Sequence, residues 1–256
     1  MIAITREVSP SIAACELTHL PRQPIDLTAA RAQHRRYEQA LRALGCDVHT
    51  LRADPAQPDA VFVEDAAVVF AEVAVITRPG APARRAETAA VAEALTPYRP
   101  QHRLAAPATL DGGDVLRVGR RVYVGLSRRT NRAAVEQLEA VLRPYGYEIH
   151  PVPVRGCLHL KSAATEVAAA TVLVNPQWVE ATTFAGLHVL RVDPDEPYAA
   201  NGLLVGERLV YPVSFPDTAR RLERHDIRLE PVDVSELQKA EGAVTCCSLV
   251  FAATGT

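Results

Sequence analysis

Two kinds of apolar spacing alternate along this chain. The segments "AVFVEDAAVVFAEVAVITRP", "GGDVLRVGRRVYVGLS", "LHLKSAATEVAAATVLVNP", "NGLLVGERLVYPVS" and the terminal "TCCSLVFAA" are rich in Val, Leu and Tyr and broken by short turns. That composition suits a pleated, half-buried surface and predicts strands joined by a turn or a bulge. Between them, "ARRAETAAVAEALTPY", "RTNRAAVEQLEAVLRPYG" and "FPDTARRLERHD" place apolar residues at i, i+3 and i+4, which predicts helices with one buried face. "TAARAQHRRYEQALRALG" is a fourth such segment. It ends at Gly45, where a helix C-terminus gains from a residue without a Cβ. "SPSIAACELTHLPRQPID" follows neither spacing and is expected to be a long loop of the kind that covers binding sites.

The strand pairs begin near positions 62, 113, 159, 200 and 246, a recurrence of roughly 40 to 50 residues, in the range of arrays and propellers. Five copies of strand, strand, helix, strand fit this order, with "MIAITRE" supplying a strand to complete a unit. A ring closed in that way puts the last strand inside the structure instead of at a frayed edge. An ordinary layered α/β sheet is permitted by the same order. No low-complexity run of Gly, Ser or Pro divides the chain, so residues 1–256 are expected to form one α/β domain.

Charge narrows the partners. A formal net charge of −2 and a pI near 6.5 argue against nucleic acid, whose binders usually carry a basic excess. Lys161 and Lys239 are the only lysines, so arginine carries most of the positive surface. No apolar run reaches the ~18 residues of a spanning helix, and no N-terminal stretch has the layout of a secretory signal. Five cysteines, an odd and scattered set, do not make a disulfide scaffold. A soluble cytoplasmic protein with reduced thiols and no membrane partner is expected.

Four stretches carry candidate chemistry. In "VFVEDAAVVF", Glu64 and Asp65 lie within an apolar run read as a strand, so at least one carboxylate points into a buried space. Such a group needs a cation. An internal salt bridge and a pocket for a cationic ligand both supply one, and Asp59 just upstream favours the pocket. In "LDGGDVL", Asp111 and Asp114 flank two glycines that allow a tight bend or a close backbone approach. His159 in "CLHLKS" is either a core histidine or a general acid/base. Cys246 and Cys247 in "TCCS", read as strand neighbours, should face opposite sides, one to the core and one to a pocket. A zinc site from Cys157, His159 and a terminal thiol lacks any Cys-x-x-Cys support. The residues alone point to a cysteine hydrolase or transferase acting on something cationic.

Taken in order, "DAVFVEDAAVV", "ITRPGAPARR", "LDGGDVL", "VGLSRRTN", "LHLKS" and "TCCS" resemble the dimethylarginine dimethylaminohydrolase family, guanidine-modifying enzymes with a five-bladed α/β-propeller, the pentein fold. The likeness runs from Leu17 to Cys246. It implies Cys246 as nucleophile, His159 as general acid/base and Asp111 as the acid that orients it. Asp59, Glu64 and Asp65 fall on the family's pocket acids, and Arg84 and Arg129 on its carboxylate-binding arginines. Leu17 and Ala240 fall on the backbone carbonyls that receive the substrate's amino group. The implied reaction hydrolyses asymmetric dimethylarginine or monomethylarginine to citrulline and an amine, with no cofactor or metal, in a monomer or homodimer. Arginine deiminases, amidinotransferases and a non-enzymatic ribosome-binding factor share the fold. The first two are longer, and the last lacks the cysteine and histidine.

Overall fold

In the computed structural model, which describes residues 1–253, five three-stranded sheets surround a central axis. β1 (Ile2–Arg6) runs through a long loop to α1 (Leu27–Ala43) and β2 (Asp47–Leu51). The next unit is β3 (Ala67–Val69), β4 (Ala74–Ile76), α2 (Thr88–Leu95) and β5 (Gln101–Arg103). It is followed by β6 (Val115–Val118), β7 (Arg121–Leu126), α3 (Arg132–Leu142) and β8 (Glu148–Pro153). A one-turn α4 (Leu160–Ala163) opens the fourth unit, β9 (Ala164–Ala168), β10 (Thr171–Val174) and β11 (His188–Arg191). There the short 3-10 turn Ala181–Phe184 replaces the crossover helix. β12 (Leu203–Val205), β13 (Arg208–Pro212), α5 (Pro216–Glu223) and β14 (Arg228–Val232) form the fifth. After α6 (Ser235–Gln238), β15 (Leu249–Phe251) returns to β1.

Every sheet repeats one pairing rule. The middle strand is antiparallel to the strand joined to it by a turn and parallel to the one reached by the crossover, as in β4 with β3 and β5. Parallel neighbours need such a crossover, which is why a helix recurs in four of the five units. In the first sheet the antiparallel partner comes from the far end of the chain: Ile2 lies opposite Phe251, while β1 runs parallel to β2 with Ile2 opposite Asp47. The result is a five-bladed α/β-propeller, closed by the two ends of the chain. Apolar clusters fill the space between blades and helices. Among the described residues no helix is long and apolar enough to cross a membrane.

α1 shows how the helices anchor the centre. Its N-terminus is capped by the Asp26 carboxylate, which accepts from the Thr28 and Ala29 N–H groups. Its buried face carries Ala30, Gln33, His34, Tyr37, Glu38 and Leu41, the 3.6-residue stripe seen in the sequence. Fully buried Tyr37 donates its hydroxyl to the Val244 carbonyl at 2.8 Å and lies 2.6 Å from Ser248 Oγ. The helix therefore grips both sides of the turn that holds the paired cysteines.

Strands begin a few residues later than the apolar pattern suggests, because short helical turns precede them. Val63–Ala66, Gly112–Asp114 and Thr245–Cys247 are 3-10 turns leading into β3, β6 and β15, and α4 occupies the equivalent place before β9. Glu64, Asp65, Cys246 and Cys247 thus sit on turns, not on strands as the sequence pattern suggested. At ~3 residues per turn, neighbouring side chains diverge by about a third of a circle, which separates each pair without a pleat. The long loop is confirmed from Glu7 to Asp26, apart from one 3-10 turn at Ile12–Ala14.

Candidate active site

The turns before the first strands converge on the axis, and most of the candidate residues lie on or beside them. Turn 63–66 touches turns 112–114 and 245–247, and turn 112–114 touches α4. This closeness depends on glycine. A Cβ on Gly112 would stand 1.9 Å from the Glu64 carbonyl oxygen, and one on Gly113 would stand 2.6 Å from His159 Nδ1. The two glycines of "LDGGDVL" are therefore required for close approach.

His159 Nε2 lies 3.0 Å from Asp111 Oδ2, and its Nδ1 lies 3.9 Å from Asp65 Oδ1. Asp111 has no exposed surface. Its other oxygen accepts from the Gly80 N–H at 2.8 Å, so the carboxylate is fixed behind the ring and holds one nitrogen. Asp65 takes the Gly113 N–H on Oδ1 at 3.0 Å and the Arg84 Nη1–H on Oδ2 at 2.6 Å. Arg84 also donates to both oxygens of Glu87 and to the Asp59 and Phe62 carbonyls. Most of its guanidinium is already engaged. Arg129 is freer: Nη1 stands 3.4 Å from Asp111 Oδ2, and Nη2 donates to Thr18 Oγ1 at 3.1 Å.

Asp59, Asp65, Arg84, Arg129, His159, Ala240 and Cys246 line one small, tightly closed cavity. Asp111 sits just behind His159. Leu17 is not on the wall; its neighbour Glu16 is, with its N–H donated to the Asp59 carboxylate at 3.1 and 3.2 Å. Glu64 departs from expectation. It faces a different cleft, where its oxygens accept from Lys161 Nζ at 2.6 Å and Thr245 Oγ1 at 2.8 Å. The turn geometry that aims Asp65 at His159 aims Glu64 away from it. The salt-bridge reading of the acidic run holds, since both carboxylates are ion-paired, and Asp65 also borders a cavity.

Apart from Asp114, already noted in "LDGGDVL", the supporting residues went unrecognised in the sequence. Glu87 clamps Arg84, and Asp114 accepts from the Leu160 N–H and Ser127 Oγ, fixing the backbone beside His159. Asn201 binds both the N–H and the hydroxyl of Thr245, and Glu241 bonds the loop at Thr18–Leu20. Charges spaced three residues apart, as in Arg84 and Glu87, were the available signal for the first. The others depend on which blades become neighbours.

Electrostatics set the resting protonation. Burial disfavours the charge on His159, but the Asp65 and Asp111 carboxylates outweigh it and raise the ring to about 9. Burial likewise opposes the Asp65 charge, yet His159 and Arg84 hold that carboxyl at about 2. Glu87, with burial dominant, is raised to about 7. Cys246 keeps some surface toward the cavity, while burial and the Glu64 and Asp65 carboxylates push its thiol well above the ordinary range. Cys247 is fully buried, its thiol against the Ala243 carbonyl. Near neutrality the resting pair is an imidazolium and a neutral thiol. Asp65, Asp111 and His159 also lie close enough to share a metal ion. Their facing atoms are already bonded to Arg84, Gly113, Arg129 and one another, which makes the group an ion-pair network first.

Relatives of the chain are found by sequence and by fold. A family model described as N,N dimethylarginine dimethylhydrolase, eukaryotic, matches residues 20–181. A dimethylarginine dimethylaminohydrolase of Streptomyces coelicolor is 42% identical over 96% of this chain and 95% of its own. The chain belongs to the dimethylarginine dimethylaminohydrolase family. Its Pseudomonas aeruginosa member is 35% identical over 88% of this chain and 90% of its own. A cysteine-to-serine mutant of the Pseudomonas enzyme complexed with citrulline superposes with a TM-score of 0.93 at 33% identity, covering 97% of this chain and 98% of that one. The N-terminal domain of ArgZ, a cyanobacterial arginine dihydrolase, shares the fold at 16% identity, with a TM-score of 0.85 over 96% of this chain and 96% of that one.

Proposed function

We propose that this protein hydrolyses Nω-methylated L-arginines, asymmetric dimethylarginine and monomethylarginine, to L-citrulline and dimethylamine or methylamine. The observation that carries the reading is the single cavity joining the Cys246 thiol, the Asp111-held His159, the Asp59 and Asp65 carboxylates and Arg129. A substrate with a guanidinium at one end and an α-amino acid at the other needs anions and a cation arranged in this way. Asp65 receives the guanidinium, and Asp59 meets the α-ammonium beside the Glu16–Leu17 backbone and Ala240. Arg129 takes the larger share of the α-carboxylate, because Arg84 is committed to Asp65 and Glu87.

Chemistry follows from the resting charges. Burial and the Glu64 and Asp65 charges hold the thiol neutral; the arriving cation offsets those charges, so the Cys246 proton passes to solvent on binding and the thiolate forms. Sulfur attacks the central guanidinium carbon, and the imidazolium of His159 gives a proton to the departing dimethylamine, leaving a covalent S-alkylthiouronium. Neutral His159 then takes a proton from water, whose oxygen attacks the same carbon. The C–S bond breaks to return the thiolate, and the remaining hydroxyl proton passes to solvent as the neutral ureido group of citrulline is released. In balance, one water is consumed and one amine released. Relatives crystallised with citrulline and as an adduct with S-methyl-L-thiocitrulline support this course.

The test is a comparison of four substrates by citrulline release: asymmetric dimethylarginine, monomethylarginine, arginine and symmetric dimethylarginine. The first two should be turned over well and the last two poorly. Preference for free arginine would make this a deiminase, and no release from any of them would refute the reading.

A further inference from the structure

We propose that Glu241 is a positioning residue that latches the loop closed over the amino-acid end of the substrate and so strengthens binding of that end. The proposal rests on the loop-bounded cavity being the substrate site. The Glu241 carboxylate accepts three consecutive backbone N–H groups: Thr18 at 3.0 Å, His19, and Leu20 at 2.6 Å. Those amides belong to an irregular segment with no strand or helix of its own. Backbone donors need a partner, and here a single side chain from more than 220 residues away supplies it.

Two further observations single out the residue. Glu241 has φ of +58°, a left-handed conformation that favours glycine or asparagine over a long side chain. The turn after α6 fixes it there, with the Glu241 N–H donating to the Gln238 carbonyl and the Gly242 N–H to the Leu237 carbonyl. The same loop is also held by the cavity's own residues, Asp59 through the Glu16 N–H and Arg129 through Thr18 Oγ1. Glu16 to Leu20 is thus clamped by the groups assigned to the substrate's ammonium and carboxylate. Glu241 stands on the wall shared by the catalytic cavity and a neighbouring apolar one lined by His19, Leu20, Tyr198 and Phe215. Releasing the latch frees the loop to move, loosening the amino-acid end while leaving the guanidinium end intact.

The test uses the full-length protein with Glu241→Gly and Glu241→Gln. Glycine suits the left-handed backbone, so the turn survives removal of the carboxylate. Hydrogen exchange without ligand should quicken about tenfold or more over Thr18–Leu20 in Glu241→Gly. Glu241→Gln retains one accepting oxygen and should fall between that variant and the parent. KM for asymmetric dimethylarginine should rise about tenfold, with kcat within about threefold, in Glu241→Gly. The loss with methylguanidine, which has no amino-acid end, should be several-fold smaller. Unchanged exchange over Thr18–Leu20, or equal losses with both compounds, would overturn the latch. If the parent protein releases citrulline from no guanidine, the hydrolase reading fails, and exchange alone still decides whether Glu241 holds the loop.

Discussion

At the scale of single residues, the two arginines expected to act alike should behave differently. Arg84→Ala leaves Asp65 and Glu87 buried without their partner, a change that typically costs about 3–5 kcal/mol. Arg129→Ala removes a less committed cation and should mainly raise KM. Urea denaturation beside steady-state kinetics separates the two, and comparable stability losses would refute the distinction. The paired thiols divide similarly. Cys246→Ser should abolish turnover in a folded protein, whereas Cys247→Ser places a hydroxyl in the core and should cost about 1–3 kcal/mol while activity persists. His159 adds a pH signature. Its ring is raised from 6.5 to about 9, so folding gains are complete below pH 6.5 and are lost as pH rises through about 9. That difference is worth up to roughly 3 kcal/mol. Stability measured from about pH 6 to about pH 10 should fall more steeply in the parent than in His159→Gln. Parallel curves would mean the ring is not held charged.

At the scale of elements, the decisive pieces are the short turns at the axis. Gly113→Ala would drive a methyl into the His159 ring and should lower kcat by at least about tenfold through misplacement alone. A variant with normal kcat would show that the ring has room to move. These turns also mark where sequence reading stopped. The ring of five units and its closure by the chain ends were legible, because strand composition and repeat spacing are local properties, and the close backbone approach at "LDGGDVL" was legible in its two glycines. The turns themselves were not, since Val63 and Ala66 look like strand residues around Glu64 and Asp65. Only the folded chain shows that one carboxylate meets Arg84 of its own unit and the other Lys161 of the fourth. Glu241 was equally hidden: nothing near it in sequence shows that the loop at Thr18–Leu20 lies within reach.

At the scale of the whole molecule, the proposed nucleophile lies on the segment that closes the ring. Cys246 is three residues before β15, whose pairing with β1 joins the chain ends, and Tyr37 of α1 grips the same turn from outside. A fold closed by its last strand thus fixes the thiol against residues of the other blades, and the central claim is that this thiol becomes covalently bonded to the substrate carbon. The most direct measurement is intact-protein mass spectrometry of His159→Gly mixed with asymmetric dimethylarginine or S-methyl-L-thiocitrulline, quenched in acid and followed by peptide mapping. Without its base, water attacks the intermediate slowly, so the protein should gain the mass of substrate less its leaving group. That mass should map to the peptide containing Cys246 and be absent when Cys246→Ser is added. Near-normal turnover in His159→Gly, or an adduct on Cys15, Cys157 or Cys247, would contradict the account.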